Sequence, residues 1–435
     1  MIFHPRQLYI VALMLLCFSY PITTVWLIEL GADVSGFNLV IKAGILFLFL
    51  ISLLVALQHS PRLPRLSLPL IAFLSLYGIR LLYDVLVLDI LMVFQTTTYV
   101  FGYFFGLTLI PVIVTALALR IEDLPAIQRW TFWLLFAANV SLLAYTILRG
   151  PIVATAAFEG RLQEDGAMEG TALLNPILVG ATGAMLMCFV IARLATTRAM
   201  SVLGQVFYLF CLFLGGINVM LGASRGPAVA LLACIFLLFA ARLRGGSFGG
   251  ARLHPRTWIY VGVFVVLFAA LVSTDVIKLQ LVDRFRLMLE PSYQAAGEER
   301  DYIYSMAWQD FLSQPFLGSS YVVRQGGYSP HNIVLDALMS TGVVGGMVFL
   351  MALVSMMIAV WKLVRGIAGP DGVAIGLICA CLTVLSMTSG SIGGNPEFWS
   401  YLITAALLSD YATRIMKSRM RAKSVGQPDQ LSHAL

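Results

Sequence analysis

An all-α, polytopic membrane helical bundle with about twelve transmembrane helices and one long extramembrane loop is the fold class this sequence predicts, on three observations. Hydrophobic residues make up 60% of the chain and charged residues only 11%, with a mean hydropathy of +0.89, whereas a soluble domain carries about 25% charged residues. Apolar stretches of roughly 15 to 30 residues succeed one another with short connections, which favours a single bundle over several soluble domains. Lys and Arg then alternate between loops in the manner of a chain threaded back and forth through a bilayer.

Taken in order, the stretches fall at 8–28, 37–57, 66–88, 93–119, 130–148 and 172–192, then at 202–221, 226–241, 258–272, 333–361, 372–387 and 398–415. Charge, Gly or Pro bounds each of them. The first is too long for a signal-peptide core and lacks a cleavage site, so it reads as a span. Starting inside, the even loops hold Arg62 and Arg65, Arg120 and Arg129, Arg193 and Arg198, the cluster Arg242, Arg244, Arg252 and Arg256, then Lys362 and Arg365. Arg6 and the tail residues Arg414, Lys417, Arg419, Arg421 and Lys423 lie on the same side, which predicts that both termini are cytoplasmic. The expected organisation is 1–272 for helices one to nine, 273–332 for the outer loop, 333–416 for helices ten to twelve and 417–435 for a polar cytoplasmic tail.

The net charge of +6 suits loops that face anionic lipid, and nucleic acid is not expected as a partner. Cys17, Cys188, Cys211, Cys234, Cys379 and Cys381 all fall inside apolar stretches and read as small buried side chains, not as a disulfide set or a metal site. No outward set of His, Asp and Glu has ligand spacing, so neither a metal nor another cofactor is expected.

Few residues remain to do chemistry on the outer face. Of the five histidines, only His331 falls there, in Pro330-His331-Asn332 at the junction of the long loop with the tenth span. It could be a general base, or it could cap the helix while Gly342 and Gly345 serve close helix packing. Arg225, in Ser224-Arg225-Gly226-Pro227, is wedged between two apolar spans, a costly place for a cation unless it meets an anion or snorkels to lipid phosphate. Within the loop, Arg300 opens a helix-like pattern that ends at Pro315 and Gly318, and it could hold an anion or pair with Glu299 or Asp301. Arg284, Arg286 and Arg324 are rivals for that role, and spacing does not choose among them. Asp336 could orient His331, although the offset along a helix is awkward, and Arg80 with Asp84 reads as a mutually neutralised pair.

His331-Asn332, nine residues, Gly342, two residues and Gly345 together resemble the signature of the bacterial O-antigen ligase family, which shares a superfamily with the O-antigen polymerases. Ser224-Arg225-Gly226 resembles that family's short outer motif, and Arg300 through Pro315 to Gly318 resembles the segment ahead of the histidine. The resemblance implies a metal-independent inner-membrane glycosyltransferase whose donor is an undecaprenyl-diphosphate-linked glycan and whose acceptor is a lipid or glycan hydroxyl, working at the periplasmic face. His331 would be the base and Arg225 and Arg300 the diphosphate-binding pair, with Asn332 beside them in the substrate site. Ligase and polymerase remain alternatives. A transporter would also be a twelve-span bundle, but transporters usually show two related halves and no internal repeat is visible here. A structural or assembly protein would give His331 no special role.

Overall fold

A computed structural model describes residues 5–58, 63–92, 95–148, 176–197, 200–222, 224–243, 262 and 294–424. Among them every regular element is helical, and nine helices are long and apolar enough to cross a membrane. In chain order the long helices are α1 (Pro5–Glu29), α2 (Val34–Gln58), α3 (Leu68–Leu86), the short α4 (Thr97–Phe101), α5 (Ile110–Ala118), α6 (Leu124–Leu148), α7 (Pro176–Thr196), α8 (Val202–Leu221) and α9 (Arg225–Leu243). After these come α10 (Gln294–Ser313), α11 (Ile333–Val364), α12 (Gly369–Ser389) and α13 (Pro396–Ser424). The fifth and twelfth stretches read from the sequence coincide with α6 and α13, two long helices outside those nine, and the stretch at 258–272 lies, but for residue 262, outside the described residues.

A π-helix, Gly102–Leu109, joins α4 to α5 into one span. Its wider turn sets Tyr99 and Tyr103 as a stacked pair, 5.3 Å between centroids, facing Lys42 on α2. The Lys42 ammonium lies 4.9 Å from the Tyr103 ring and 5.5 Å from that of Tyr99, so ring quadrupoles stabilise a cation held within a span.

Buried helices α7 and α12 form the centre of the bundle, with α6, α8, α9, α11 and α13 packed around them. Lipid is as apolar as Leu, so helices here associate through close packing and polar contacts instead of a hydrophobic drive. Gly183 and Gly215 supply the close packing: a Cβ on Gly183 would lie 2.5 Å from the Gly215 carbonyl oxygen. Beside it, the Asn218 amide donates to the Asn139 side-chain oxygen at 2.8 Å, and the Asn139 amide donates to the Thr182 carbonyl at 3.1 Å, stitching α6, α7 and α8 together.

The tenth stretch departs from expectation. Ile333–Val364 is two helices in succession, because Gly342 in its interior has φ 65° and ψ −166°. The apolar stretch read at 333–361 thus holds a break: a half-helix, 333–341, precedes the helix 343–364.

A candidate active site built on the broken helix

A break inside a helix leaves carbonyls behind it and N–H groups ahead of it without partners, which is tolerated at membrane depth only where protein supplies substitutes. Gln314-Pro315-Phe316-Leu317-Gly318 supplies them as a wedge. Val343 N–H donates to the Pro315 carbonyl at 2.7 Å and Val344 N–H to that of Phe316 at 3.3 Å. In return, Ser319 N–H donates to the Met339 carbonyl at 2.8 Å. Contact is backbone to backbone: a Cβ on Gly342 would lie 2.3 Å from the Phe316 carbonyl oxygen, and one on Gly318, itself at φ 83°, would lie 2.3 Å from that of Ser340. Only glycine combines a left-handed conformation with such an approach at no steric cost.

Above the wedge, α10 packs on the half-helix through a small separate core of Met306, Ala307, Val323 and Met339. Below it, α3 grips the same chain. Arg80 donates to the Gly318 carbonyl at 3.1 Å and to that of Ser319, while its Nη2 lies 2.6 Å from Asp84 Oδ1. Asp84 is fully buried and its Oδ2 accepts from the Tyr321 N–H at 2.8 Å. Met92 N–H donates to the Tyr321 hydroxyl at 2.9 Å, and burial pushes that phenol above its ordinary range, so it stays neutral. Neutralisation explains the Arg80–Asp84 pair only in part, since the pair also clamps the wedge.

His331 is exposed and stands directly before the half-helix with φ 53°, an uncommon conformation for a residue with a Cβ and one in which His is enriched. Asn332 follows as N-cap, its side-chain oxygen accepting from Val334 N–H at 3.0 Å and Leu335 N–H at 3.1 Å. That oxygen is thus committed to the helix, leaving the amide NH₂ for any substrate contact. Asp336, one turn on and fully buried, accepts from Ile392 N–H at 2.8 Å through Oδ2. It ties the half-helix to the α12–α13 connection, where Tyr77 of α3 also arrives beside Gly393.

Arg225 opens α9 and is half-buried. A Cβ on the next residue, Gly226, would lie 3.1 Å from Thr388 Oγ1 at the end of α12. The end of α12 thus connects the two candidates: Thr388 touches the Arg225 turn, and Ile392 just beyond holds Asp336 below His331. The rivals separate differently. Arg324 donates to the Ser319 carbonyl at 2.7 Å, and its N–H donates to Asp310 at 2.9 Å, so it staples the loop that carries the wedge. Arg300 has its backbone in α10, its side chain being outside the described residues, and Arg284 and Arg286 fall wholly outside them. Sequence reasoning misses the clamp because its partners lie more than two hundred residues apart, and the wedge because its contacts run between main-chain atoms; only the placement of Arg80 and Asp84 one turn apart points at the clamp.

No curated protein matches the chain. A family model described as O-antigen ligase matches residues 210–350, a segment that runs from α8 through Arg225, the wedge, His331 and both halves of α11. The resemblance drawn from His331-Asn332, Gly342 and Gly345 is borne out there, and a membrane enzyme is supported at the level of the family. The match over residues 210–350 supports a place for this segment in the O-antigen ligase and polymerase superfamily.

Proposed function

We propose that this protein is a metal-independent glycosyltransferase of the bacterial inner membrane, ligase-like, that transfers an undecaprenyl-diphosphate-linked glycan to a hydroxyl of lipid A-core at the periplasmic face. His331 takes the acceptor proton as the new bond to the anomeric carbon forms. The bond from that carbon to the diphosphate breaks, and Arg225 with Arg300 stabilises the charge left on the departing phosphate. Arg225 suits the role because a cation at a helix N-terminus adds to the positive end of the helix dipole, so the pair of fields favours an anion. The observation that carries the reading is the setting of His331: exposed, held in a left-handed conformation, and standing before a short capped half-helix that is braced by a wedge. Rigid support of this kind fixes a base where a packing residue would need none.

The test is transfer from purified lipid-linked donor by reconstituted wild-type and His331→Gln protein, with donor binding measured separately. Turnover should fall about 10²- to 10⁴-fold with donor binding kept, the range for general acid–base catalysis. Arg225→Lys should lose roughly 10- to 150-fold, because an ammonium cannot reproduce a bidentate guanidinium contact. Normal turnover by His331→Gln excludes the base role. Supplying lipid A-core in one arm and a second lipid-linked chain in the other separates ligase from polymerase.

A further inference from the structure

Read as isolated residues, the cysteines are small packing side chains. Three of them converge. Cys188 on α7, Cys234 on α9 and Cys381 on α12 present sulfur atoms that all lie within 4.8 Å of one another. The three helices pack mutually, so the thiols meet where all three adjoin. Each side chain is at most 1% exposed, and none is in a disulfide. Cys234 donates to the Leu377 carbonyl at 3.4 Å. Cys17, Cys211 and Cys379 stand outside the cluster. Packing alone does not need sulfur at three facing positions, because the same bundle uses Gly183 and Gly215 where helices must approach closely.

We propose that this trio is a binding site for a soft monovalent cation, copper(I), held by three sulfurs in the interior of the bundle. Ligand chemistry chooses the ion. Calcium and magnesium require oxygen donors, and zinc requires a fourth ligand and brings two positive charges. Copper(I) accepts an all-sulfur set. Charge chooses the protonation state: one S–H proton leaves to solvent as the copper–thiolate bond forms, so a singly charged cation and one thiolate leave the site neutral. Losing further protons would place net negative charge among apolar helices, at a steep desolvation cost. Bound there, the ion ties α9, whose end carries Arg225, to α12, whose Thr388 lies beside Gly226.

Full-length protein in detergent under reducing conditions is titrated with copper(I) against a chromophoric copper(I) chelator. Wild type should retain one ion per chain against the chelator, with sulfur-only scattering in X-ray absorption and a rise in thermal midpoint. Cys188→Ser, Cys234→Ser and Cys381→Ser should each lose that retention, whereas Cys17→Ser, Cys211→Ser and Cys379→Ser should keep it. Failure of wild type to retain copper(I) overturns the proposal whatever the variants do. So does retention that survives Cys234→Ser in folded protein, or zinc held in preference to copper(I).

Discussion

Replacing Gly342 with alanine acts on the docked wedge from two sides. A Cβ there has to occupy φ 65° with ψ −166°, a region essentially confined to glycine, which costs about 1–3 kcal/mol. It also meets the Phe316 carbonyl oxygen at 2.3 Å and Gly318 N at 2.6 Å, and main chain cannot rotate away as a side chain can. Overpacking of that kind adds about 1–3 kcal/mol. Meanwhile alanine favours a continuous helix over glycine by about 1 kcal/mol, so the straightened, wedge-free state gains as the docked one loses. The sum exceeds about 2 kcal/mol, a shift of more than roughly tenfold toward the undocked state. Gly346→Ala is the control in the same helix: the closest atom to its Cβ is Leu338 Cδ2, at 2.6 Å, the far end of a side chain that can rotate, and it should change stability by less than about 1 kcal/mol. Hydrogen exchange of 314–324 and of Val343 reads the wedge directly, since Val343 N–H and Ser319 N–H are the donors that docking protects. Faster exchange there in Gly342→Ala, with glycan transfer reduced in step, is the expected result. Wild-type exchange and wild-type transfer in Gly342→Ala, or an equal effect from Gly346→Ala, would refute the argument that the break is held by the wedge.

Two further perturbations separate the supports of the site. Asp84→Asn keeps an acceptor for the Tyr321 N–H but strands the Arg80 cation, so unfolding should cost about 3–5 kcal/mol less; adding Arg80→Met should recover part of that loss in a double-mutant cycle, and strict additivity of the two variants refutes the coupling. Asn332→Ala should weaken the half-helix by about 0.5–2 kcal/mol through loss of its cap, whereas Asn332→Asp should preserve it; a loss of transfer in Asn332→Asp with unchanged thermal stability would show that the amide also meets substrate.

The spanning helices are legible in the sequence because lipid allows so little else: with no water to satisfy the main chain, each traverse is a run of apolar residues, and α3, α8 and α12 fall almost where hydropathy places them. His331, Arg225 and the glycines of α11 stand out for similar reasons, each being an unusual residue in a restrictive place. The roles of Gly342 and Gly318 do not, because glycine in a span serves close packing and helix breaking equally well, and only the arrival of Phe316 decides between them. Nearness in sequence assigns Asp336 to His331, yet it accepts from Ile392, far along the chain. The sulfur trio is hidden in the same way, its members being spread over α7, α9 and α12.

The break in α11 also fixes a height. The portion from 343 to 364, at about 1.5 Å per residue, is long enough on its own to cross a hydrocarbon core of about 30 Å. The half-helix at 333–341 is therefore not needed for the crossing, and His331 stands at most about 16 Å from Gly342 along its axis. Arg80, gripping the wedge from α3, marks the level of the break, and α9 begins with Arg225 at its tip. On the function proposed above, such a spacing would suit a lipid-linked sugar, whose phosphates lie at the surface and whose first sugar stands clear of it. On that reading, a longer or shorter half-helix would move His331 off the sugar while leaving the anchor untouched.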